Sequence, residues 1–175
     1  MNITVYMGSN PGKNPAYREA AKELGRFIGE NGHTLVYGGS DAGLMGVVAD
    51  NVLETGGMVI GVFPRTLKGI ESLHPRLDKL LETADLRERR AKMIALGDVF
   101  VALPGGPGTI EEISEIMSLA RINHLKGLCA ILNVEGYFDH FKAQYDKMVE
   151  EGFISPAERG RIIFLDSLDE LKKLM

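Results

Sequence analysis

A single cysteine, Cys129, stands among 175 residues. Disulfides within the chain are excluded, and a cysteine-based metal cluster is not expected. Cys129 lies in the apolar run Leu128 to Leu132 and reads as a small buried hydrophobe. No apolar run approaches the length of a membrane span. The opening Met1 to Tyr6 lacks the basic start and long apolar region of a signal peptide. The expectation is a cytoplasmic protein with no membrane partner. Charge of one sign is lacking too: 20 Lys and Arg face 24 Asp and Glu, which gives no reason to expect nucleic-acid binding. The histidines His33, His74, His124 and His140 are scattered. They show no metal-ligand spacing and no serine-histidine-acid arrangement, so neither a metal nor a cofactor is expected. Repeats, low-complexity segments and linkers are absent. Residues 1–175 read as a single domain of ordinary globular composition, 45% hydrophobic and 25% charged.

What is present is an alternation of short apolar runs and longer helical patterns. Strands are expected at Ile3 to Met7, Thr34 to Tyr37, Met58 to Phe63, Val99 to Leu103, Leu128 to Leu132 and Ile162 to Leu165. Helices are expected at Ala16 to Glu30, Leu44 to Thr55, Leu86 to Leu96, Ile110 to Asn123, Tyr137 to Glu150 and Leu168 to Leu174. Arg65 to Asp78 is irregular and reads as a connecting loop or a flap. This rhythm implies an α/β fold: a Rossmann-like, doubly wound parallel sheet with helices on both faces. The strands are continuous apolar runs, as burial on both faces requires.

In such a sheet ligands bind beyond the carboxyl ends of the strands, where strand order reverses. Three strand ends carry glycine: Gly8-Ser9-Asn10-Pro11-Gly12, Gly38-Gly39-Ser40 and Pro104-Gly105-Gly106-Pro107-Gly108. Parallel strands put all three turns on one edge. Each alone is an ordinary tight turn; three together, each leading into a helix, point to a nucleotide-like site. The last turn opens a helix, and a helix N-terminus after a glycine turn is a ready anion cradle. Gly8 to Asn14 is one residue short of a phosphate loop and has Asn14 where Ser or Thr would hold magnesium. No G-x-G-x-x-G follows a strand, which counts against NAD or FAD. A cradle for one phosphate without those fingerprints suggests a mononucleotide.

Charged residues flank the cradle. Thr109 and Glu112 have the spacing of a capping box, which would merely stabilise the helix start. The alternative is that Glu111 and Glu112 serve chemistry beside a phosphate. Arg87, Arg89 and Arg90 lie at the start of a helix, where positive charge opposes the dipole. Most such runs are solvated faces, yet the arginine fork suits a phosphate or a carboxylate. Apolar positions on the helix from Ile110 to Ile122, including Ile116 and Leu119, are candidates for burial against a second subunit.

These residues resemble the LOG ("lonely guy") family of cytokinin riboside 5′-monophosphate phosphoribohydrolases, often labelled lysine decarboxylases. The resemblance runs over nearly the whole chain. It rests on Gly8-Ser9, on Tyr37-Gly38-Gly39 with Gly43-Leu44-Met45-Gly46, on Asn133 to Phe138, and above all on the PGGxGTxxE motif, intact from Pro104 to Glu112. The family's Arg-Lys signature, preceded by Met-His-x, is here Leu86-Arg87-Glu88-Arg89-Arg90, and Ser40 replaces a third glycine after Tyr37. The resemblance implies a homodimer that splits a nucleoside 5′-monophosphate into free base and ribose 5-phosphate. It makes Arg89 and Glu112 the catalytic pair. It places Gly106, Gly108, Thr109 and Glu111 on the phosphoribose, and Glu71, Arg90 and Ser118 in contact with substrate. Gly8, Ser9, Gly38, Gly39 and Gly105 complete the expected binding set. A carboxylate can stabilise an oxocarbenium-like state or activate water, and an arginine can orient the phosphoribosyl group or assist departure of the base. The rival expectation is a non-catalytic Rossmann-like carrier of a nucleotide or of the molybdenum cofactor.

Overall fold

The computed structural model describes residues 1–125 and 127–175. Their strands are β1 (Asn2–Tyr6), β2 (Thr34–Tyr37), β3 (Met58–Pro64), β4 (Lys79–Thr83), β5 (Val99–Ala102), β6 (Leu128–Leu132) and β7 (Ile163–Leu165). Their helices are α1 (Pro15–Glu30), α2 (Gly43–Glu54), α3 (Leu86–Leu96), α4 (Pro107–Arg121), α5 (Asp139–Glu150), α6 (Pro156–Arg159) and α7 (Leu168–Leu174). The strands form one sheet in the order β4-β3-β2-β1-β5-β6-β7, every neighbouring pair parallel. The chain steps outward from β1 to β4, then crosses back and lays β5 on the other side of β1. The reversal therefore falls between β1 and β5. Their register runs from Ile3 against Val99 to Tyr6 against Ala102, so the two following loops leave the sheet at the same height.

The central strands β1, β2 and β5 are buried almost throughout, which explains their unbroken apolar sequence. Alternate residues feed two cores. On one face Ile3 and Val5 pack with Leu24 and Ile28 of α1, Val48 and Val52 of α2, and Leu171 of α7. On the other, Tyr6 packs with Met93 of α3 and with Ile113, Ile116 and Met117 of α4. Ile116 is 0% exposed; it belongs to the chain's own core and is not available to a second subunit. Helix α1 starts where Asn14 caps the amide of Ala16 and Pro15 supplies a preset φ.

Three features differ from the sequence expectation. Strand β4 was not anticipated, because Lys79-Leu80-Leu81-Glu82-Thr83 is a largely exposed edge strand and carries charge where a central strand carries apolar residues. The short α6 is set by a capping box between Ser155 and Glu158. Helix α4 begins at Pro107, three residues before Ile110, while α5 begins only at Asp139 and leaves Tyr137 in the preceding turn. The irregular stretch from Arg65 is anchored toward its C-terminal end. His74 N–H donates to the Gly39 carbonyl at 2.9 Å and Asp78 N–H to the Val59 carbonyl at 3.1 Å. His74 itself is buried, its Nε2 3.3 Å from Asp50 Oδ1.

Helices α1 and α2 approach closely at Gly25 and Gly29. A Cβ on Gly25 would stand 2.6 Å from the Val48 carbonyl oxygen, which is rigid backbone. Alanine is the better helix former, yet the overpacking outweighs that gain. Gly25→Ala is expected to lower stability by about 1–2 kcal/mol in denaturant titrations.

Candidate functional site

The loops after β1 and β5 are knitted together at the point of reversal. Leu103 N–H donates to the Tyr6 carbonyl at 2.9 Å and Gly8 N–H to the Pro104 carbonyl at 3.1 Å, so the ladder continues past the strands. Gly8 and Gly105 permit this contact. A Cβ on Gly8 would lie 3.2 Å from Gly105 Cα, and one on Gly105 would lie 2.1 Å from Thr109 Oγ1.

Gly106 and Gly108 are glycine for a different reason. Nothing lies within 4 Å of where their Cβ atoms would stand, and neither has positive φ. No contact among the described residues demands glycine there, so the space is open to something that approaches the backbone. Gly106 is the N-cap of α4 and brings no side-chain cap. The first amides of α4 are left to an external acceptor, and the helix dipole selects an anion.

A cavity of about 490 Å³ opens over these loops, within the range of small-molecule sites. Of the residues expected from sequence, Gly8, Ser9, Gly38, Glu71, Arg89, Arg90, Gly105, Gly106, Gly108, Thr109, Glu111 and Glu112 all line it. Gly39 and Ser118 are not among the lining residues. Gly39, at φ 83°, turns the chain toward Leu73. Ser118 lies exposed further along α4, its hydroxyl bonded to the Ser114 carbonyl at 2.9 Å.

At the floor of the cavity Arg89 Nη2 donates to Glu112 Oε1 at 2.6 Å, and the two side chains are only 13% and 11% exposed. The early start of α4 makes Glu112 the sixth helical residue rather than a cap partner. It faces Arg89 of α3, so the capping-box reading of Thr109 and Glu112 does not hold. The guanidinium lies against Gly38, where a Cβ would come within 3.2 Å of Nη2. Gly38 thus makes room for Arg89 at the end of β2. Arg89 Nε is buried with no partner among the described residues. Burial pushes the Glu112 carboxyl above its ordinary range, with Arg89 pulling it back. Beside this pair Arg90 bridges Glu111 at 3.0 Å and Glu115 at 3.1 Å, tying α3 to α4 a second time. Two of the arginines that oppose the α3 dipole, Arg89 and Arg90, are therefore answered by carboxylates of α4.

The charged lining residues are Arg89, Arg90, Glu71, Glu111 and Glu112. Both cations are already paired, so an anion at Gly106 and Gly108 would be held chiefly by backbone amides. The anchored stretch after β3 contributes Leu67 and Glu71 to the rim. Sequence reasoning missed the apolar lining, Met7, Leu44, Met45, Leu86 and Met93, and two aromatics, Tyr17 and Tyr137. The apolar residues carry no local signal, since they read equally well as core. Tyr137 had one, its place in the Asn133 to Phe138 segment.

A family model described as "Possible lysine decarboxylase" matches residues 45–175. A cytokinin riboside 5′-monophosphate phosphoribohydrolase of Arabidopsis thaliana is 41% identical over 169 residues, covering 97% of this chain and 78% of that protein. A second Arabidopsis thaliana protein of that name is 41% identical over 171 residues, 98% of this chain and 80% of its own length. Among solved structures, the molybdenum cofactor carrier protein of Chlamydomonas reinhardtii has a TM-score of 0.69 at 23% identity, covering 99% of this chain and 96% of that one. The molybdenum cofactor binding protein of Rippkaea orientalis has a TM-score of 0.69 at 21% identity, covering 99% and 93%. The likeness to these two is one of fold.

The open space at Gly108 sets stability against binding. Gly108→Ala adds a helix former at a solvent-facing position and is expected to raise stability by up to about 1 kcal/mol. The same methyl fills the cradle, and affinity for inorganic phosphate in titration calorimetry should fall at least roughly tenfold, a change of about 1.4 kcal/mol. Unchanged phosphate affinity in this variant would remove the cradle from the site.

Proposed function

The chain belongs to the LOG family, the one represented by that family model and by those Arabidopsis thaliana relatives, and from that premise we propose that it hydrolyses the N-glycosidic bond of purine nucleoside 5′-monophosphates of the cytokinin type. The products are free base and ribose 5-phosphate. The observation that carries this reading is the buried Arg89–Glu112 pair, placed at the floor of the same cavity whose rim offers the unshielded amides of α4.

The substrate phosphate rests on the backbone at Gly106, Gly108 and Thr109, and the ribose lies over Glu112. As the C1′–N bond breaks, positive charge develops on the sugar. The Glu112 carboxylate stabilises that charge and takes a proton from the water whose oxygen bonds to C1′. The base departs with the bonding electron pair and takes up through solvent the proton that the water gave to Glu112, which leaves the carboxylate ready for the next turnover. Arg89 favours the ionised form of Glu112 against the cost of burial and fixes its direction through the 2.6 Å hydrogen bond. Glu71, Leu67 and Leu86 border the base. No lysine is among the described residues that line the cavity, so the site offers no amine for the Schiff base a pyridoxal decarboxylase needs. The reading includes a cytoplasmic setting and a homodimer. No helix among the described residues is long and apolar enough to cross a membrane. With Ile116 buried, Leu119 of α4 and Ile122, which caps its C-terminus and is 46% exposed, are left for a second subunit.

Incubation with AMP and with N6-isopentenyl-AMP should release free base, read by chromatography. Glu112→Gln keeps an acceptor for Arg89 and hence the fold, but should lower kcat by about a thousandfold or more. Full activity in that variant would refute the role of Glu112. The ionised form of Glu112 does the work and its pKa is raised. Activity should therefore climb as pH rises through a value above the ordinary glutamate pKa of about 4.3. A monomer in light scattering at working concentration would remove the homodimer.

A further inference from the structure

The segment from Asn133 to Phe138 plays no part in the hydrolysis as derived, yet its interactions all converge on the placement of one side chain. It forms the turn between β6 and α5. The Asn133 side chain accepts from Phe138 N–H at 2.7 Å and donates to Asp139 Oδ1 at 2.8 Å. Glu135 is held at φ 53°, ψ 34°, left-handed backbone that a non-glycine residue adopts only when its surroundings impose it. Gly136 follows at φ 69°. The ring of Tyr137 then stands edge-on to Tyr17, centroids 5.5 Å apart, and to Phe138, 4.9 Å apart. With the ring so held, the Tyr137 hydroxyl crosses to the loop after β5 and donates to the Gly105 carbonyl at 2.5 Å.

That carbonyl shares its peptide with the N–H of Gly106. In a trans peptide the two groups point in opposite directions. Holding the oxygen on Tyr137 therefore fixes the direction of the Gly106 amide at the head of α4. Glycine on both sides leaves this peptide free to rotate unless something outside it holds it. Both Gly105 and Tyr137 line the cavity. An unpaired Gly105 carbonyl would present the negative end of its dipole to the space where an anion is to sit.

We propose that Tyr137 is a positioning residue for the anion cradle: its hydroxyl holds the Gly105–Gly106 peptide so that the amide hydrogen, and not the carbonyl oxygen, is turned to the phosphate of the substrate. The inference rests on the nucleotide hydrolase reading above and gives its phosphate subsite a sequence-distant support, 32 residues away. It acts on the retention of phosphate and not on the bond-breaking step.

Tyr137→Phe keeps the ring and its packing and removes only the hydroxyl. The KM for AMP or N6-isopentenyl-AMP should rise roughly three- to tenfold, the effect of one hydrogen bond lost. The kcat should stay within about twofold, since ground state and transition state lose the same contact. The Kd of ribose 5-phosphate in titration calorimetry should rise by the same factor as KM, with the thermal midpoint little changed. A merely structural role would lower the midpoint and kcat without that selective loss. Unchanged KM and unchanged ribose 5-phosphate affinity in the variant overturn the proposal, as does a fall in kcat at constant KM. If the unaltered protein binds neither ribose 5-phosphate nor inorganic phosphate, the hydrolase reading falls and this inference with it. If the unaltered protein binds and the variant binds equally well, only the role of Tyr137 falls.

Discussion

A buried ion pair between two helices is the constraint on which the proposed chemistry depends. Arg89 and Glu112 lie 23 residues apart in sequence and meet at 2.6 Å on the floor of the cavity. Removing charges from water is costly, and a pair this buried persists only where the surroundings align it. The alignment comes from three directions. Gly38 at the end of β2 clears a space for the guanidinium, α3 presents it, and α4 begins early enough to turn Glu112 inward. Arg90 adds a second tie between the same helices. Arg89 Nε stays buried without a hydrogen-bond partner among the described residues.

The glycines divide by what would fill their missing side chains. Gly8 and Gly105 let two loops touch, and Gly38 accommodates Arg89. Gly106 and Gly108 face open space. Of these five, Gly106 and Gly108 leave backbone bare, and they stand where the dipole of α4 favours an anion. Fold and site are coupled here. The strand order reverses between β1 and β5, the loops that follow them meet there in register, and the cavity opens over that junction. The molybdenum cofactor proteins share this fold; in the proposed reading it is the Arg89–Glu112 pair that suits this chain to bond cleavage.

Much of this was legible in the residues. The central strands announce themselves because burial on both faces demands unbroken apolar runs, and the glycine turns mark the ligand edge because the strands are parallel. The edge strand β4 was not legible, since an exposed edge needs charge rather than hydrophobicity. The start of α4 was misplaced by three residues, a small error that nevertheless decides whether Glu112 caps its own helix or faces Arg89. Ile116 looked free on a helical pattern that cannot tell the chain's own core from a partner's surface.

Local chemistry therefore settles what is encoded along the chain: strand and helix type, the anion-binding turn, and the residue types able to act on a sugar-phosphate. Those properties depend on near neighbours, and near neighbours are visible in a string of letters. Which carboxylate meets which arginine, which glycines stay uncovered, and that Tyr137 reaches Gly105 across 32 residues depend on how distant segments pack. Only the folded chain decides them, because no periodicity along a strand or helix records what lies across the sheet.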